Sequence, residues 1–227
     1  MVIIIGDSCR DVNIYGKVKR ICPEAPVPVF EKMSFTDGGG GMAANVATNF
    51  CALGIKYKLY TNHKCETKTR YFDEISGQMV LRVDSLPDKF YEQERFADVV
   101  DEVDFSVASA VVIADYDKHY FYKKGLAAVR RRYDGPIFID TKKPLGKWLK
   151  DVTCIKINEK EWLESGSPEL DNICVTLGRN GACWQTKLRI PPPVQVRARD
   201  VCGAGDTFLA GLVAYYLKHD GDMPRAI

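Results

Sequence analysis

Mainly apolar residues gather in short runs at 2–5, 110–114, 137–139, 152–157 and 173–177, each too short for a helix and most rich in β-branched side chains. Runs of this kind are how strands buried on both faces of a parallel sheet read. Helical patterns separate them. Residues 42–53 hold good helix formers and stop at Gly54, 92–103 are weakly amphipathic, and 118–133 form a basic-faced stretch that ends before Gly135-Pro136. A further helix starts at Asn158, and 208–217 are apolar throughout. Residues 56–60 read as a short strand, 61–69 as a polar stretch without pattern, and 70–72 with 78–83 as a hairpin around Ser76-Gly77. Residues 182–185 read as the hairpin partner of 173–177, and 194–196 as a short strand. Prolines at 23, 26 and 28 assign 16–30 to a sheet edge. The alternation predicts an α/β layered fold with a largely parallel sheet and one excursion of edge strands.

Composition narrows the function classes. The 227 residues suffice for one core and one domain, 1–227. A formal charge of +2 gives no broad field for nucleic acid or a membrane, so an anion site has to be local. Arg130, Arg131 and Arg132 read as a solvated helix end rather than a nucleic-acid patch. Eight cysteines without a C-x-x-C pair suggest buried thiols in a reducing compartment, although their even number leaves a small disulfide framework open. The apolar start before Gly6 is too short for a signal peptide or a membrane span, and a cytoplasmic protein is expected. His63, His119 and His219 fall in no metal-ligand arrangement.

The strongest chemistry lies in Asp200-Val201-Cys202-Gly203-Ala204-Gly205-Asp206-Thr207, just before the apolar run at 208–217. Amides at a helix start point outward, the helix dipole adds positive charge, and glycine permits close approach. Gly203, Ala204, Gly205 and Asp206 therefore suit a phosphoryl group, with Asp206 as base for an attacking hydroxyl. The alternative is that Asp206 only caps the helix. Four glycines at 38–41 precede the helix carrying Asn45 and Asn49 on one face, a second close-approach site if not a linker. Asp11, just past the first strand, suits sugar hydroxyls or a local turn. Asn158 and Glu161, three apart, make a capping-box pair or a functional one.

The Asp200–Asp206 string resembles the Asp-x-Thr-Gly-Ala-Gly-Asp signature of the ribokinase-like (PfkB) sugar kinases, with Cys202 replacing a threonine hydroxyl beside the phosphate path. Cys22-Pro-Glu-Ala-Pro-Val-Pro-Val29 resembles the Ser-Pro-Glu-Ala-Pro-Val-Pro-Val stretch of heptose-7-phosphate kinases, the kinase half of the ADP-heptose synthase subgroup. Asp115-Tyr116-Asp117-Lys118 and Asp140-Thr141-Lys142 are similar to that subgroup's Asp-Tyr-x-Lys and Asp-Pro-Lys. The resemblance implies a ribokinase-like three-layer α/β/α fold with a mostly parallel central sheet and a small β lid, at about 15–36 and 69–84. It implies an ATP-dependent kinase acting on a sugar or sugar phosphate, with Asp206 as base and the amides of Gly203, Ala204 and Gly205 around the phosphoryl group. Asp11, Gly40, Gly41, Asn45 and Arg70 are then expected at the sugar, Arg70 meeting a phosphate if it is not a surface arginine. Lys142, Asn158, Thr176, Gly178 and Gly181 are expected at the nucleotide, and Glu161 in the Mg²⁺ shell. A homodimer through the β lid is implied as well. Next to full-length relatives the chain looks abridged, which keeps a second expectation in play, a degenerate kinase that binds sugar phosphate or nucleotide without turnover.

Overall fold

Each β-branched run becomes a strand because its side chains can bury on both faces, and each break falls where glycine, proline or a buried carboxylate turns the chain. The computed structural model describes residues 1–92, 95–168, 170–195 and 201–227. Along them run β1 (Val2–Gly6), β2 (Ser8–Ile21), β3 (Pro28–Met42), α1 (Ala43–Ala52), β4 (Tyr57–Thr61), β5 (Glu66–Asp73) and β6 (Met79–Ser85). Then come α2 (Phe96–Val99), β7 (Ala110–Asp115), α3 (Lys123–Arg130), β8 (Ile137–Thr141), β9 (Cys154–Asn158) and α4 (Glu159–Glu164). The last elements are β10 (Ile173–Thr176), β11 (Ala182–Trp184), β12 (Leu188–Ile190), α5 (Ala204–Lys218) and α6 (Met223–Ala226). The chain divides into two compact units, the larger built from Met1–Asp7, Met42–Asn62 and Glu94–Ile227, the smaller from Ser8–Gly41 and His63–Gln93.

The larger unit is a three-layer α/β/α arrangement around an eight-stranded sheet of order β12-β11-β10-β9-β8-β7-β1-β4. From β10 to β4 every pair is parallel, and only β11 breaks the pattern, antiparallel to both β10 and β12. Strand alternation divides the core. Ile3, Ile5, Val111, Ile113, Ile139 and Ile155 pack with Phe96, Phe121, Leu126 and Val129 on one face. Val2, Ile4, Val112, Phe138 and Cys154 pack with Val46 and Phe50 of α1 and Leu209 and Val213 of α5 on the other. Fully burying each such side chain contributes about 1.5–3 kcal/mol, so the sheet carries most of the cohesion. Gly6 ends β1 where a Cβ would lie 2.1 Å from the Ala114 carbonyl oxygen. Only glycine lets β1 come that close to β7. Among the described residues no helix is long and apolar enough to cross a membrane.

The smaller unit is a four-stranded sheet of order β3-β2-β5-β6, parallel between β2 and β5 and antiparallel between β5 and β6. The β5–β6 turn is tied by the Asp73 carboxylate, which accepts from the Ser76 amide and hydroxyl, and Gly77 takes the left-handed φ of 70° that the turn requires. Register pairs Arg70 with Arg82 and Asp84 with Lys68 on one face, and Tyr71 with Leu81 and Thr69 with Val83 on the other. One face is charged and the other apolar.

Several expectations are corrected. Asp11 lies within β2, not in a loop after β1, because β2 starts at Ser8. β2 also takes in residues 16–21, and only the proline-rich part of 16–30 beyond it stays outside a strand before β3 begins at Pro28. Residues 38–41 are the extended end of β3 rather than a linker. The polar stretch at 61–69 contains the start of β5, since its alternation is of charged and hydroxyl side chains that carry no apolar signal. The basic helix shrinks to α3 because Asp117 and His119 take φ of 58° and 73°, which no helix continues. In 92–103, α2 and two short 3₁₀ turns replace a single helix, with 93 and 94 outside the described residues. Residues 194 and 195 are not strand, and Val196 and Asp200 lie outside the described residues.

Candidate functional site

Helix α5 begins at Gly203, whose φ of 73° turns the chain into the helix and makes it the N-cap. Asp206 is therefore in the first turn but is not the cap. The residue is nearly buried and its side chain makes no cap hydrogen bond. Oδ1 accepts from the Tyr116 hydroxyl at 2.6 Å and Oδ2 from the Asn45 amide of α1 at 2.8 Å. The capping alternative is thereby removed. Burial holds the Asp206 carboxyl above the usual carboxylate range, the two donors pull it back, Asp140 adds to the rise and Lys156 opposes it. Burial and the Asp206 carboxylate push the Tyr116 hydroxyl far up, so it stays a donor.

A chain of charges runs from this helix start across the strand ends. A Cβ at Gly205 would lie 2.6 Å from Lys156 Nζ, so the ammonium sits directly against the glycine backbone. Lys156, buried in β9, donates to Asp140 Oδ2 at 2.5 Å. Lys142 Nζ stands 3.7 Å from Asp140 Oδ1, pairs with Glu161 Oε1, and lies 5.1 Å from the centre of the Tyr116 ring. Burial lowers the Lys142 pKa, but Asp140 and Glu161 outweigh it and the net shift is upward. Glu161 Oε2 accepts from the Asn158 amide and Asn158 Oδ1 from the Glu161 amide, the reciprocal capping box that opens α4.

Thr176, Gly178 and Gly181 line a cavity of about 340 Å³ together with Ala204 and Gly205, walled by Ile190, the three prolines 191–193, Phe208 and Ile227. Gly181 is obligatory there: its φ is 83° and a Cβ would meet the Ile190 carbonyl oxygen at 2.1 Å. Lys142 and Glu161 line a separate cavity of about 210 Å³. The expected nucleotide residues thus fall into two groups, and Lys156 with Asp140 links them. The Ala204 amide, expected to face an anion, bonds to the Val201 carbonyl at 3.2 Å.

In the smaller unit Arg70 Nη1 donates to Asp11 Oδ1 at 2.7 Å, and a Cβ at Gly41 would lie 2.5 Å from Asp11 Oδ2. Asp11, Arg70 and Gly41 are brought together, with Gly40 next to them in β3. Asn45, expected at the sugar, donates to Asp206.

Tyr116, Asp140 and Lys156 received no role from the sequence. Lys156 carries the one usable signal, a lysine between Ile155 and Ile157 in an apolar strand, where burial without a partner is prohibitive.

No group of three or more His, Cys, Asp or Glu among the described residues is placed to hold a metal ion. A hard cation that keeps most of its waters fits nonetheless: it needs one or two carboxylates plus substrate oxygens, Glu161 is half of a displaceable pair with Lys142, and the buried Asp140 Oδ1, without a hydrogen bond, is an acceptor for a bound water.

The description of the pfkB family of carbohydrate kinases matches residues 81–227. Among curated proteins the chain is similar to the bifunctional protein HldE of a Nitratiruptor species, 29% identical over 263 residues that cover 93% of this chain and 55% of that protein. It is similar also to the bifunctional protein HldE of Aliarcobacter butzleri, 25% identical over 279 residues, covering 100% of this chain and 58% of that one. The chain spans about half the length of the curated relatives it matches. Among solved structures, Arabidopsis thaliana ribokinase complexed with ribose and ATP aligns at a TM-score of 0.66 and 14% identity, over 99% of this chain and 88% of that one. The Methanocaldococcus jannaschii nucleoside kinase aligns at 0.66 and 17% identity, over 100% and 88%. At these identities the likeness speaks for the fold, which is ribokinase-like.

Proposed function

The chain belongs to the pfkB family of carbohydrate kinases, and from that premise we propose that it transfers the γ-phosphoryl group of ATP to a hydroxyl of a sugar phosphate, with a heptose 7-phosphate as the acceptor. The observation that carries this reading is Asp206 in the first turn of α5, beside a glycine backbone with the Lys156 ammonium against it. The acceptor hydroxyl gives its proton to Asp206 as its oxygen bonds to the γ-phosphorus, and the bond to the β–γ bridging oxygen breaks. Charge on the transferring group is met by the helix start and by Lys156, fixed in place before the reaction begins. Thr176, Gly178 and Gly181 are assigned to the nucleotide, because they line the cavity that reaches Ala204 and Gly205. Lys142 and Asn158 are assigned to its phosphate side through Glu161. Mg²⁺ bound through Glu161 would supply charge neutralisation at the phosphate oxygens. Asp11, Gly40, Gly41, Asn45 and Arg70 are assigned to the sugar on the family resemblance, and the smaller unit to the role of a lid that excludes water.

Dimerisation through the smaller unit's sheet is part of the same proposal, supported by its apolar face, where Leu81 is 55% exposed. The free cysteines fit a reducing compartment, and the cytoplasm is the proposed location. The test is ATP consumption with Mg²⁺ against a panel of sugar phosphates that includes heptose 7-phosphate, for the chain and its Asp206→Asn variant. Sugar-dependent turnover that falls at least about a hundredfold in the variant is expected from loss of a general base. Absence of turnover with every sugar, in folded protein that still binds nucleotide or sugar phosphate, would favour the non-catalytic binding protein.

A further inference from the structure

Both oxygens of the Asp206 carboxylate are engaged by donors from other elements, and the two donors differ in kind. Asn45 reaches it from α1, a helix without charged side chains. Tyr116 reaches it from the turn after β7, in which the Asp117 amide donates to Asp115 and the Phe96 amide of α2 donates to the Tyr120 carbonyl. Its anchor is Asp7, wholly buried at the end of β1. Asp7 Oδ2 accepts from the amides of Tyr116 at 2.9 Å and Lys118 at 3.2 Å, and Oδ1 accepts from the amide of Tyr120 at 3.1 Å. Three amides converging on one carboxylate hold Asp117 and His119 at their left-handed φ values. A buried carboxylate spent on backbone is costly, and here it fixes one phenol.

We propose that Tyr116 is the positioning residue for Asp206, holding its carboxylate ionised and in one orientation, and that Asp7 is the strut that sets Tyr116. The proposal rests on Asp206 being the base. Each carboxylate oxygen has two acceptor sites, so with Tyr116 on Oδ1 and Asn45 on Oδ2 one acceptor site on each oxygen is left for the acceptor hydroxyl. The charged and titratable groups facing Asp206 are Tyr116 from the turn after β7, Asp140 of β8, Lys142 just beyond β8 and Lys156 of β9. Asp140 opposes ionisation, while Lys156 and the Tyr116 hydroxyl favour it. Of these, only the Tyr116 hydroxyl is directly bonded to the carboxylate.

The test is Tyr116→Phe, which keeps the ring under Lys142 and removes the hydroxyl. The acid limb of the kcat/KM profile is expected to move up by about one pH unit, while most of the rate is retained above it. A ¹³C titration of the aspartate carboxyls, with Asp206 identified by its disappearance in Asp206→Asn, reads the same shift without any turnover. Site-specific 3-fluorotyrosine at position 116 leaves the shape nearly unchanged, strengthens the donor and is expected to move the carboxyl the other way, which keeps the test open should Tyr116→Phe fold poorly. An Asp206 titration unmoved by either substitution would overturn the proposal, as would a rate loss equal at every pH. A wild-type chain without turnover would sink the kinase reading alone, because the carboxyl titration still decides the role of Tyr116.

Discussion

At Gly205 the missing side chain is the functional feature, because Lys156 Nζ occupies the space a Cβ would need. Gly205→Ala is expected to lower kcat/KM by about tenfold to a hundredfold, since an ammonium displaced by even 1 Å no longer meets the phosphoryl charge. Thermal unfolding should move little, because alanine suits a helix better than glycine and Nζ ends a flexible side chain. Steady-state kinetics alongside a melting curve would separate the two effects. Asp206 was singled out in the sequence by the glycines around it and by the family resemblance, since the residues alone fitted a helix cap as well. Lys156 was not, since pairing a buried lysine with Asp140 requires β8 and β9 to be neighbours, and sheet order is not written in any one strand. Tyr116 escaped for a related reason, as its partner lies 90 residues on.

Among the elements, α4 offers the cleanest measurement, being short and opened by a complete capping box. Asn158→Ala is expected to cost about 1 kcal/mol in urea unfolding, the usual effect of losing a cap side chain. Any larger fall in nucleotide affinity than in stability would assign Asn158 a ligand role beyond the cap. The central strands were readable because each is a single apolar run, and hairpin β5–β6 because Ser76-Gly77 punctuates it. β2 was less so: its 14 residues mix polar and apolar side chains, are mostly half-buried and contain Gly16, against the apolar signal that made β1 plain. The shortened α3 had little local signal: the Asp115 carboxylate accepts from the Asp117 amide nearby, but three other amides of the turn that delays it donate to Asp7, more than a hundred residues earlier.

For the whole molecule, the buried carboxyl of Asp206 makes stability depend on pH in a direction that can be worked out. Its folded pKa lies above the unfolded one, so the native state keeps a proton that the unfolded chain has lost, and stability falls as pH rises from the ordinary carboxylate range through the folded pKa. Asp206→Asn lacks this dependence. Denaturant unfolding at pH 4 and pH 7 is therefore expected to show the variant gaining on the wild type as pH rises, the trade of stability for function common at active sites. Fold class was legible at this scale from the alternation of elements, whereas the smaller unit was legible only through the family resemblance, whose two lid segments at about 15–36 and 69–84 fall within Ser8–Gly41 and His63–Gln93. The three groups that meet at the carboxylate are far apart in the chain: Asn45 and Asp206 are separated by 161 residues and Tyr116 and Asp206 by 90, while Asp7 lies 113 residues from Tyr120 of the turn it holds. Contacts across such intervals form late, after nearer strands have paired. In a refolding experiment the return of catalysis would accordingly trail the return of the sheet, and on the ribosome Asn45 and Tyr116 would wait without the carboxylate they hold until α5 emerged.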